Sequence, residues 1–298
     1  MTAEASEIDV AVVTWNTRAI TLDALTRLAA SETAGAIRIL VRDNGSTDGT
    51  AAAIADQLPS VDLDAGAENL GFAGGVNTVL RRSTAPWVLL LNSDAWPEPG
   101  AVAALLACAE RHPRAAAVAP RLERPDGALE PSTWPLPSLR VGIASALRPH
   151  RYVWGHDSER TVEWAVGAAL LIRRTALDEI GPLDESLFMY AEDLDWCWRA
   201  TNSGWQIWFT PDAVVRHIGN ASGAQRYGDR QPVAWIANSV VVYRRHHGAL
   251  ATRAWQLANS LGAMLASRRA RRAGDAELAS HWSGQVRAWL SPGRGEPA

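Results

Sequence analysis

Carboxylate side chains follow apolar runs of the sequence, and each is suited to a particular step of chemistry. Asp43 follows the run at residues 37–41, Asp94 follows the run at residues 87–91, and Glu192 and Asp193 open a helix-like segment. A carboxylate at the end of a buried strand can hold a hard divalent cation, and one beside a hydroxyl can remove its proton. Taken singly, each acid is also explained as a turn residue or a helix cap.

A glycine-rich segment is a second candidate for ligand contact. The sequence NLGFAGGVN at residues 69–77 places Gly71, Gly74 and Gly75 ahead of a helix. Residues without a Cβ let backbone N–H groups approach a phosphate group closely. The segment is equally explained as a flexible loop. It matches neither the GxGxxG pattern of dinucleotide-binding proteins nor the P-loop of NTPases.

The elements that would position these residues alternate between strands and helices in the first half of the chain. Apolar runs predict strands at residues 8–15, 37–41 and 87–91, and helical spacing predicts helices at 21–31, 47–58 and 100–112. This alternation is typical of an α/β fold with a mostly parallel central sheet covered by helices. Ligands bind such sheets at the carboxyl ends of the strands, which points to residues 14–16, 42–50 and 92–94.

The second half of the chain has a different character. Residues 121–140 are rich in proline and predict a long loop, whereas 162–174 predict a strand interrupted at Gly167. A helix is predicted at 191–204, and two strands at 205–209 and 213–217. A turn-rich linker at 218–232 then leads to a mostly helical region. We therefore expect a catalytic domain at 1–231 and a C-terminal helical extension at 232–298.

Composition limits the function classes. The chain has 298 residues, of which 47% are hydrophobic and 20% charged, with a net charge of -3, so nucleic-acid binding is not indicated. The two cysteines, Cys108 and Cys197, lack the spacing of a disulfide framework or a zinc site. The N-terminal residues lack the pattern of a secretory signal, and no apolar run reaches transmembrane length. These features predict a cytoplasmic, globular enzyme.

The motifs, taken in order, resemble those of the inverting glycosyltransferases of family 2, and within them the rhamnosyltransferase-like bacterial members. The resemblance is carried by VAVVTWN, VRDNGSTDGT, ENLGFAGGVN, LLLNSDAWPEPG, GAALLIRR and FMYAEDLDWCWR, between residues 8 and 220. It implies the GT-A fold. It also implies transfer of a sugar, with L-rhamnose from dTDP-L-rhamnose as the expected donor, to a hydroxyl of a glycan, lipid-linked or small-molecule acceptor.

The resemblance also implies a role for individual residues. Asp193, with Glu192 beside it, corresponds to the catalytic base, and Asp94 and His217 to ligands of one Mg²⁺ or Mn²⁺ ion. Asn92 stands where family members usually have the first acid of DxD, so its role as a metal ligand or ribose contact is open. Residues implied in binding the donor or the reacting sugar are Thr14, Asn16, Asp43, Asn69, Gly71, Gly74, Gly75, Asn77, Asn92, Ser93, Gly167 and Ala168.

Two other functions remain as alternatives. A nucleotidyltransferase that makes sugar nucleotides shares the sheet and the metal, but the sequence TWNTRAITL lacks the basic glycine loop that such enzymes carry after the first strand. A sugar-nucleotide or glycan binding module without activity is suggested only by Asn92.

The C-terminal extension allows more than one partner. Its apolar helical spacing and arginine clusters suit peripheral contact with an anionic membrane through Trp235 and Trp255. Packing on the catalytic domain, or on a second subunit in a homodimer, explains the same pattern equally well.

Overall fold

The structure is a computed structural model that describes residues 7–30, 37–147, 155–219 and 231–292. The first half of the chain alternates strands with helices, as the sequence predicts. Its elements are β1 (Ile8–Thr14), α1 (Arg18–Ala29), β2 (Ile37–Asp43), α2 (Thr50–Gln57), β3 (Asp62–Ala65), α3 (Gly71–Arg82) and β4 (Trp87–Asn92). The strands β1 and β4 are continuous apolar runs because both of their faces are covered.

The second half contains shorter strands and the C-terminal helices. Its strands are β5 (Ala95–Pro97), β6 (Ala115–Glu123), β7 (Leu129–Glu130), β8 (Thr133–Trp134), β9 (Arg160–Val162), β10 (Trp164–Ala165), β11 (Ala169–Arg173) and β12 (Gln206–His217). Its helices are α4 (Ala101–Arg111), α5 (Leu139–Leu147), α6 (Arg174–Ile180), α7 (Glu192–Asn202), α8 (Gln231–Arg272) and α9 (Ala276–Leu290), with a short 3-10 helix at Glu185–Leu187. The long helix α8 is interrupted at Gly248, which has a φ of 75°.

The central sheet brings the predicted strand ends to one edge. Its order is β3-β2-β1-β4-β11-β6-β12-β5 among the described residues, and the first four of these strands are parallel to one another. The strand β11 lies antiparallel between β4 and β6. In this register Thr14 pairs with Asp43, and Val13 pairs with Asn92. The predicted α/β fold with a mostly parallel central sheet and C-terminal helices is confirmed.

Both faces of the sheet are buried, and alternate residues of β4 belong to two different hydrophobic clusters. Val88 and Leu90 belong to the hydrophobic cluster that also contains α7 and the C-terminal helices. Leu89 and Leu91 belong to the cluster on the other face, with residues of α1, α2 and α4. Successive side chains of a strand point to opposite faces, so each face of β4 contributes to a separate core.

Three element predictions differ from the structure. Residues 121–140, predicted as one loop, contain the end of β6, all of β7 and β8, and the start of α5. The two strands predicted at 205–209 and 213–217 form the single strand β12, with a register shift between Thr210 and Val214. The strand predicted at 162–174 is divided among β9, β10 and β11. Strands of two or three residues are set by pairing partners, which a periodicity argument does not detect.

The C-terminal helices pack on the preceding elements. Tyr243 and Trp255 stack with ring centroids 4.3 Å apart, and the ring of His246 stacks on that of Trp198 in α7 at 4.2 Å. Trp255 is only 3% exposed, so it does not meet a membrane surface, contrary to that expectation. Packing on the catalytic domain is the alternative that agrees with the structure. Most of the predicted linker, residues 220–230, and the N-terminal residues 1–6 lie outside the described residues.

Candidate active site

A cavity of about 720 Å³ opens at the carboxyl edge of the sheet. Its wall combines the ends of β1 and β4, the turn before β11, the first turn of α7, and side chains of α8 and α9. The predicted site residues that line it are Thr14, Asn69, Asn92, Ser93, Asp94, Gly167, Ala168, Glu192, Asp193 and His217. The structure therefore brings together the residues implied in metal binding and the acidic pair implied in catalysis.

One corner of the cavity holds a histidine between two carboxylates. His217, at the end of β12, has its Nε2 3.3 Å from Asp94 Oδ1. Its Nδ1 lies 3.1 Å from a carboxylate oxygen of Glu130 on β7. Both His217 and Asp94 are buried, at 6% and 4% exposure. Although burial lowers the pKa of His217, hydrogen bonds to Asp94 and Glu130 raise it to about 9.

This corner suits a divalent cation. A hydrogen bond from Nδ1 to Glu130 leaves Nε2 as the ligand atom, which is the carboxylate–histidine arrangement found around metal ions in proteins. The Asn92 side chain also lies beside this atom, with its Nδ2 3.3 Å from His217 Nε2. A carboxylate oxygen and an imidazole nitrogen therefore converge here, and the Asn92 amide lies beside them. Sequence reasoning missed Glu130 because it lies in the segment predicted as a loop.

The acidic pair opens α7 on another part of the wall. Asp193 Oδ2 accepts a hydrogen bond from the Gly167 N–H at 2.8 Å, and its Oδ1 accepts one from the Leu194 N–H at 2.6 Å. Burial raises the pKa of Asp193. Burial, followed by the charge of Asp193, raises the pKa of Glu192 well above its ordinary value. Glu192 Oε2 has no hydrogen-bond partner among the described residues. Raised carboxyl pKa values suit proton uptake near neutral pH.

The turn before this pair is held in an uncommon backbone conformation. Phe188, Tyr190 and Ala191 have φ values of 55°, 75° and 67°, a region that L residues rarely adopt. The side-chain amide of Asn238 in α8 donates to the carbonyl oxygens of Leu187, Met189 and Tyr190 at 2.7, 2.9 and 3.1 Å. Such a conformation persists only where its surroundings determine it.

The three glycines of the glycine-rich segment do not line the cavity, although Asn69 at its start does. The N–H of Gly71 donates to Asn69 Oδ1 at 2.9 Å, and the N–H of Phe72 donates to the carbonyl oxygen of Phe188 at 2.6 Å. The first donors of α3 are thus already bonded within the protein. A Cβ on Gly71 would lie 2.3 Å from the Phe188 oxygen, and one on Gly75 would lie 2.7 Å from Val13 Cγ1. Close backbone packing accounts for these glycines, and a Cβ on Gly74 would similarly meet Leu70 at 2.9 Å.

Two residues expected in the nucleotide pocket brace its loops instead of lining the cavity. Asn16 Oδ1 accepts from the Thr47 N–H at 2.7 Å, which ties the loop after β1 to the loop after β2. Asp43 Oδ1 accepts from the Ser46 N–H at 2.8 Å. Asp43 Oδ2 is buried and has no partner among the described residues, so it remains able to accept a hydrogen bond from a ligand.

Asn77 and Thr14, which were also expected to bind the donor, form structural contacts. Asn77 exchanges two hydrogen bonds with the backbone of Leu183, at 2.8 and 3.0 Å, and lies outside the cavity wall. Thr14 lines the cavity, but its hydroxyl is hydrogen-bonded to those of Thr17 and Thr21 at 3.0 and 2.8 Å.

A second group of metal-type side chains lies away from the cavity. Donor atoms of Cys108, His112 and Glu159 lie within 4.8 Å of one another. Glu159 already forms ion pairs with Arg111 and His112. Burial raises the pKa of the Cys108 thiol to about 12, which keeps it protonated. This group is explained as a local ion-pair network.

Comparisons with known proteins agree with this geometry. The model of glycosyl transferase family 2 matches residues 9–180. The N-acetylglucosaminyl-diphospho-decaprenol L-rhamnosyltransferase of Mycobacterium tuberculosis is 37% identical over 203 residues, which cover 61% of this chain and 66% of that protein, just under two thirds of its length. Among the described residues, none of the helices combines the length and apolar character needed to cross a bilayer.

Solved structures with a similar fold share little sequence identity with this chain. A mannosyltransferase from Pyrobaculum calidifontis, in complex with GDP-Man and Mn²⁺, has a TM-score of 0.63 at 18% identity, covering 97% of this chain and 87% of that one. GalNAc-T7 with UDP, GalNAc and Mn²⁺ has a TM-score of 0.63 at 13% identity, covering 97% and 56%. These similarities establish the fold.

Proposed function

Because this chain belongs to glycosyl transferase family 2, we propose that it is a metal-dependent, inverting glycosyltransferase that transfers L-rhamnose from dTDP-L-rhamnose to a hydroxyl of a lipid-linked glycan. The observation that carries this proposal is one cavity whose wall contains both the Asp94–His217 pair and the buried acids Glu192 and Asp193. Displacement at the anomeric carbon needs a group that stabilises the leaving diphosphate on one side of the sugar. It also needs a base for the acceptor hydroxyl on the other side.

The donor half of the reaction is assigned to the corner around His217. Asp94 and His217 would hold Mg²⁺ or Mn²⁺, with Glu130 orienting the imidazole. When bound, the cation offsets negative charge on the departing diphosphate. Support comes from the convergent donor atoms of this corner and from the Mn²⁺ in both structural neighbours. The Oδ2 of Asp43, which has no partner among the described residues, would accept the imide N–H of a pyrimidine base.

The acceptor half is assigned to Asp193. Its Oδ2 is held toward the cavity by the Gly167 N–H, so the carboxylate can take the proton of an acceptor hydroxyl as the oxygen attacks the anomeric carbon. The bond from that carbon to the diphosphate oxygen breaks as the new C–O bond forms. A single displacement of this kind inverts the anomeric configuration.

The substrates are proposed by similarity. The relative from Mycobacterium tuberculosis is named as an L-rhamnosyltransferase that acts on N-acetylglucosaminyl-diphospho-decaprenol. A lipid-linked acceptor fits a location at the inner face of the plasma membrane. Support for that location comes from α8, where Leu250, Leu257 and Leu261 are 90%, 50% and 49% exposed near exposed arginines.

Release of dTDP from dTDP-L-rhamnose, measured with Mn²⁺, with Mg²⁺ and after chelation, tests this proposal. Asp193→Asn should lower kcat by about 100-fold or more, because a general base contributes about 10²–10⁴-fold, and should retain donor binding. Asp178→Asn, at an exposed position, is the matched control. Unchanged turnover in Asp193→Asn would remove the assigned base. Donor binding without turnover in the wild-type protein would favour the inactive binding module.

A further inference from the structure

Three tryptophan side chains line one part of the cavity wall. Trp164 in β10 lies directly opposite Trp134 in β8 across an antiparallel pair. Trp235 in α8 stacks on Trp164, with ring centroids 6.3 Å apart and an angle of 23° between the rings. All three residues line the cavity. Trp164 is only 7% exposed and supports the other two, whose rings are partly exposed.

This tryptophan wall lies next to the proposed base. Gly167 follows Trp164 by three positions in the sequence and donates its N–H to Asp193 Oδ2 at 2.8 Å. The strand β10, which contains Trp164, packs against α7, the helix that begins with the acidic pair. A hydroxyl that Asp193 deprotonates must lie within hydrogen-bond reach of the carboxylate. The group carrying that hydroxyl must therefore lie near the tryptophan wall.

The chemistry of the wall differs from that of the donor corner. The three tryptophans and the neighbouring Pro135 and Pro137 offer no charge to a diphosphate, whereas Asp94 and His217 provide metal-type donors. Indole rings present wide, flat apolar faces. Such a face matches the C–H face of a pyranose ring, whose hydroxyls remain free at its edge. Asn259 adds an amide to the same wall, with its Nδ2 donating to the Trp255 carbonyl oxygen at 2.8 Å.

We propose that Trp134, Trp164 and Trp235 form the acceptor subsite, on which a neutral pyranose ring stacks and presents its hydroxyl to Asp193. This inference rests on the proposed function and adds the residues that bind the acceptor. It also gives the C-terminal helices a direct part in substrate binding, because Trp235 belongs to α8. Trp255 and Trp289, at 3% and 6% exposure, also line the cavity, and their rings are in edge contact with centroids 4.9 Å apart.

Replacement of Trp235 by side chains of different shape tests the stacking role. The probe is N-acetylglucosaminyl diphosphate esterified with a short prenyl chain, and its binding is measured by titration calorimetry. Trp235→Ala should weaken probe binding by roughly 10-fold, because the variant loses the flat indole face on which the ring stacks. Trp235→Tyr should bind within about threefold of wild type, because it keeps a flat ring. Trp235→Leu should bind as weakly as Trp235→Ala.

Controls separate this inference from the proposed function. Trp282→Ala, in α9 and outside the cavity wall, should bind the probe like wild type. Binding of dTDP with Mn²⁺ should be the same in all variants, and thermal melting verifies that each is folded. Probe binding by Trp235→Leu equal to that of wild type would indicate a site for the alkyl chain and would overturn the ring subsite. Wild-type affinity in Trp235→Ala would also overturn the ring subsite. Failure of the wild-type protein to bind dTDP would count against the proposed function, independently of the probe measurement.

Discussion

At the scale of single residues, the candidate metal corner depends on a side chain that no motif identifies. Glu130 belongs to the two-residue strand β7 and contacts His217 Nδ1 at 3.1 Å. A carboxylate in this position fixes the orientation of the imidazole and increases its strength as a ligand. The ion pair between Asp195 and Arg199, by contrast, follows from their helical spacing and is present at 2.8 Å. Contacts within one helix are therefore predictable, whereas contacts between distant strands are not.

Glu130→Gln tests this role. The variant should need about 10–100-fold more Mn²⁺ for half-maximal activity, the usual effect of losing a partner of a metal-binding histidine. At saturating Mn²⁺, most of the wild-type kcat should return. A metal titration of dTDP release measures both quantities. Glu179→Gln, at an exposed position, is the control, and an unchanged Mn²⁺ requirement in Glu130→Gln would contradict the assignment.

The raised pKa of Glu192 predicts a pH dependence of stability. Between the ordinary carboxyl pKa and the raised value, the folded protein keeps a proton that the unfolded chain has lost. The free energy of unfolding therefore falls as pH rises through this window. Glu192→Gln removes this titration, so its stability relative to wild type should increase between about pH 5 and about pH 8.

Urea unfolding of both proteins across this pH range measures the effect. Glu110→Gln, an exposed position on α4, should show a constant difference from wild type. A constant difference for Glu192→Gln as well would mean that Glu192 titrates normally in the folded protein.

Activity has its own pH limit, because Asp193 must be ionised to act as a base. Turnover should decline as the pH falls through the raised pKa of Asp193.

At the scale of elements, one turn connects the acidic pair to two helices that are distant in sequence. The carbonyl oxygen of Phe188 accepts from the Phe72 N–H at the start of α3, and Asn238 in α8 binds the carbonyl oxygens on either side. These contacts hold Phe188, Tyr190 and Ala191 at positive φ. The backbone enters α7 directly after Ala191, so this turn sets the position of Glu192 and Asp193.

Asn238→Ala tests the contribution of this contact. The loss of a buried amide that serves three carbonyl groups should destabilise the protein by about 1–3 kcal/mol. It should also lower kcat while leaving the KM for the donor nearly unchanged, because Asp193 shifts and the donor corner does not. Steady-state kinetics on protein shown to be folded separate the two effects. Asn202→Ala, at an exposed position, is the control, and reduced stability with normal kcat would limit Asn238 to a structural role.

At the scale of the whole molecule, the C-terminal helices carry two different surfaces. One contributes Trp235, Trp255 and Trp289 to the cavity wall. The other exposes Leu250, Leu257 and Leu261, which share the helical spacing of one face, together with Arg268 and Arg269. A surface that combines apolar and basic side chains suits an anionic bilayer. The expected membrane contact is thus better assigned to these leucines than to the tryptophans, and a homodimer stays a prediction.

Sedimentation with lipid vesicles tests this surface. Vesicles containing phosphatidylglycerol should retain more protein than vesicles of phosphatidylcholine alone, and added salt should reduce the difference, because salt screens the arginines. Replacing Leu257 and Leu261 by Ser should reduce retention several-fold. Leu278→Ser, at 44% exposure on α9, provides the control. Equal retention on both vesicle types would argue against an anionic membrane as the partner.

Local patterns in the sequence are sufficient to predict the fold class and to point to the acidic residues of the cavity. Apolar runs that end in polar residues predict β1, β2 and β4 with Thr14, Asp43 and Asn92 near their ends. The set of side chains that share the cavity becomes known only once the chain is folded. Glu130 and Trp235 reach it through strand pairing and helix packing, whereas Asn16, Asn77 and the glycines of α3 are occupied by internal contacts. Such contacts join residues far apart in sequence, so no local pattern encodes them.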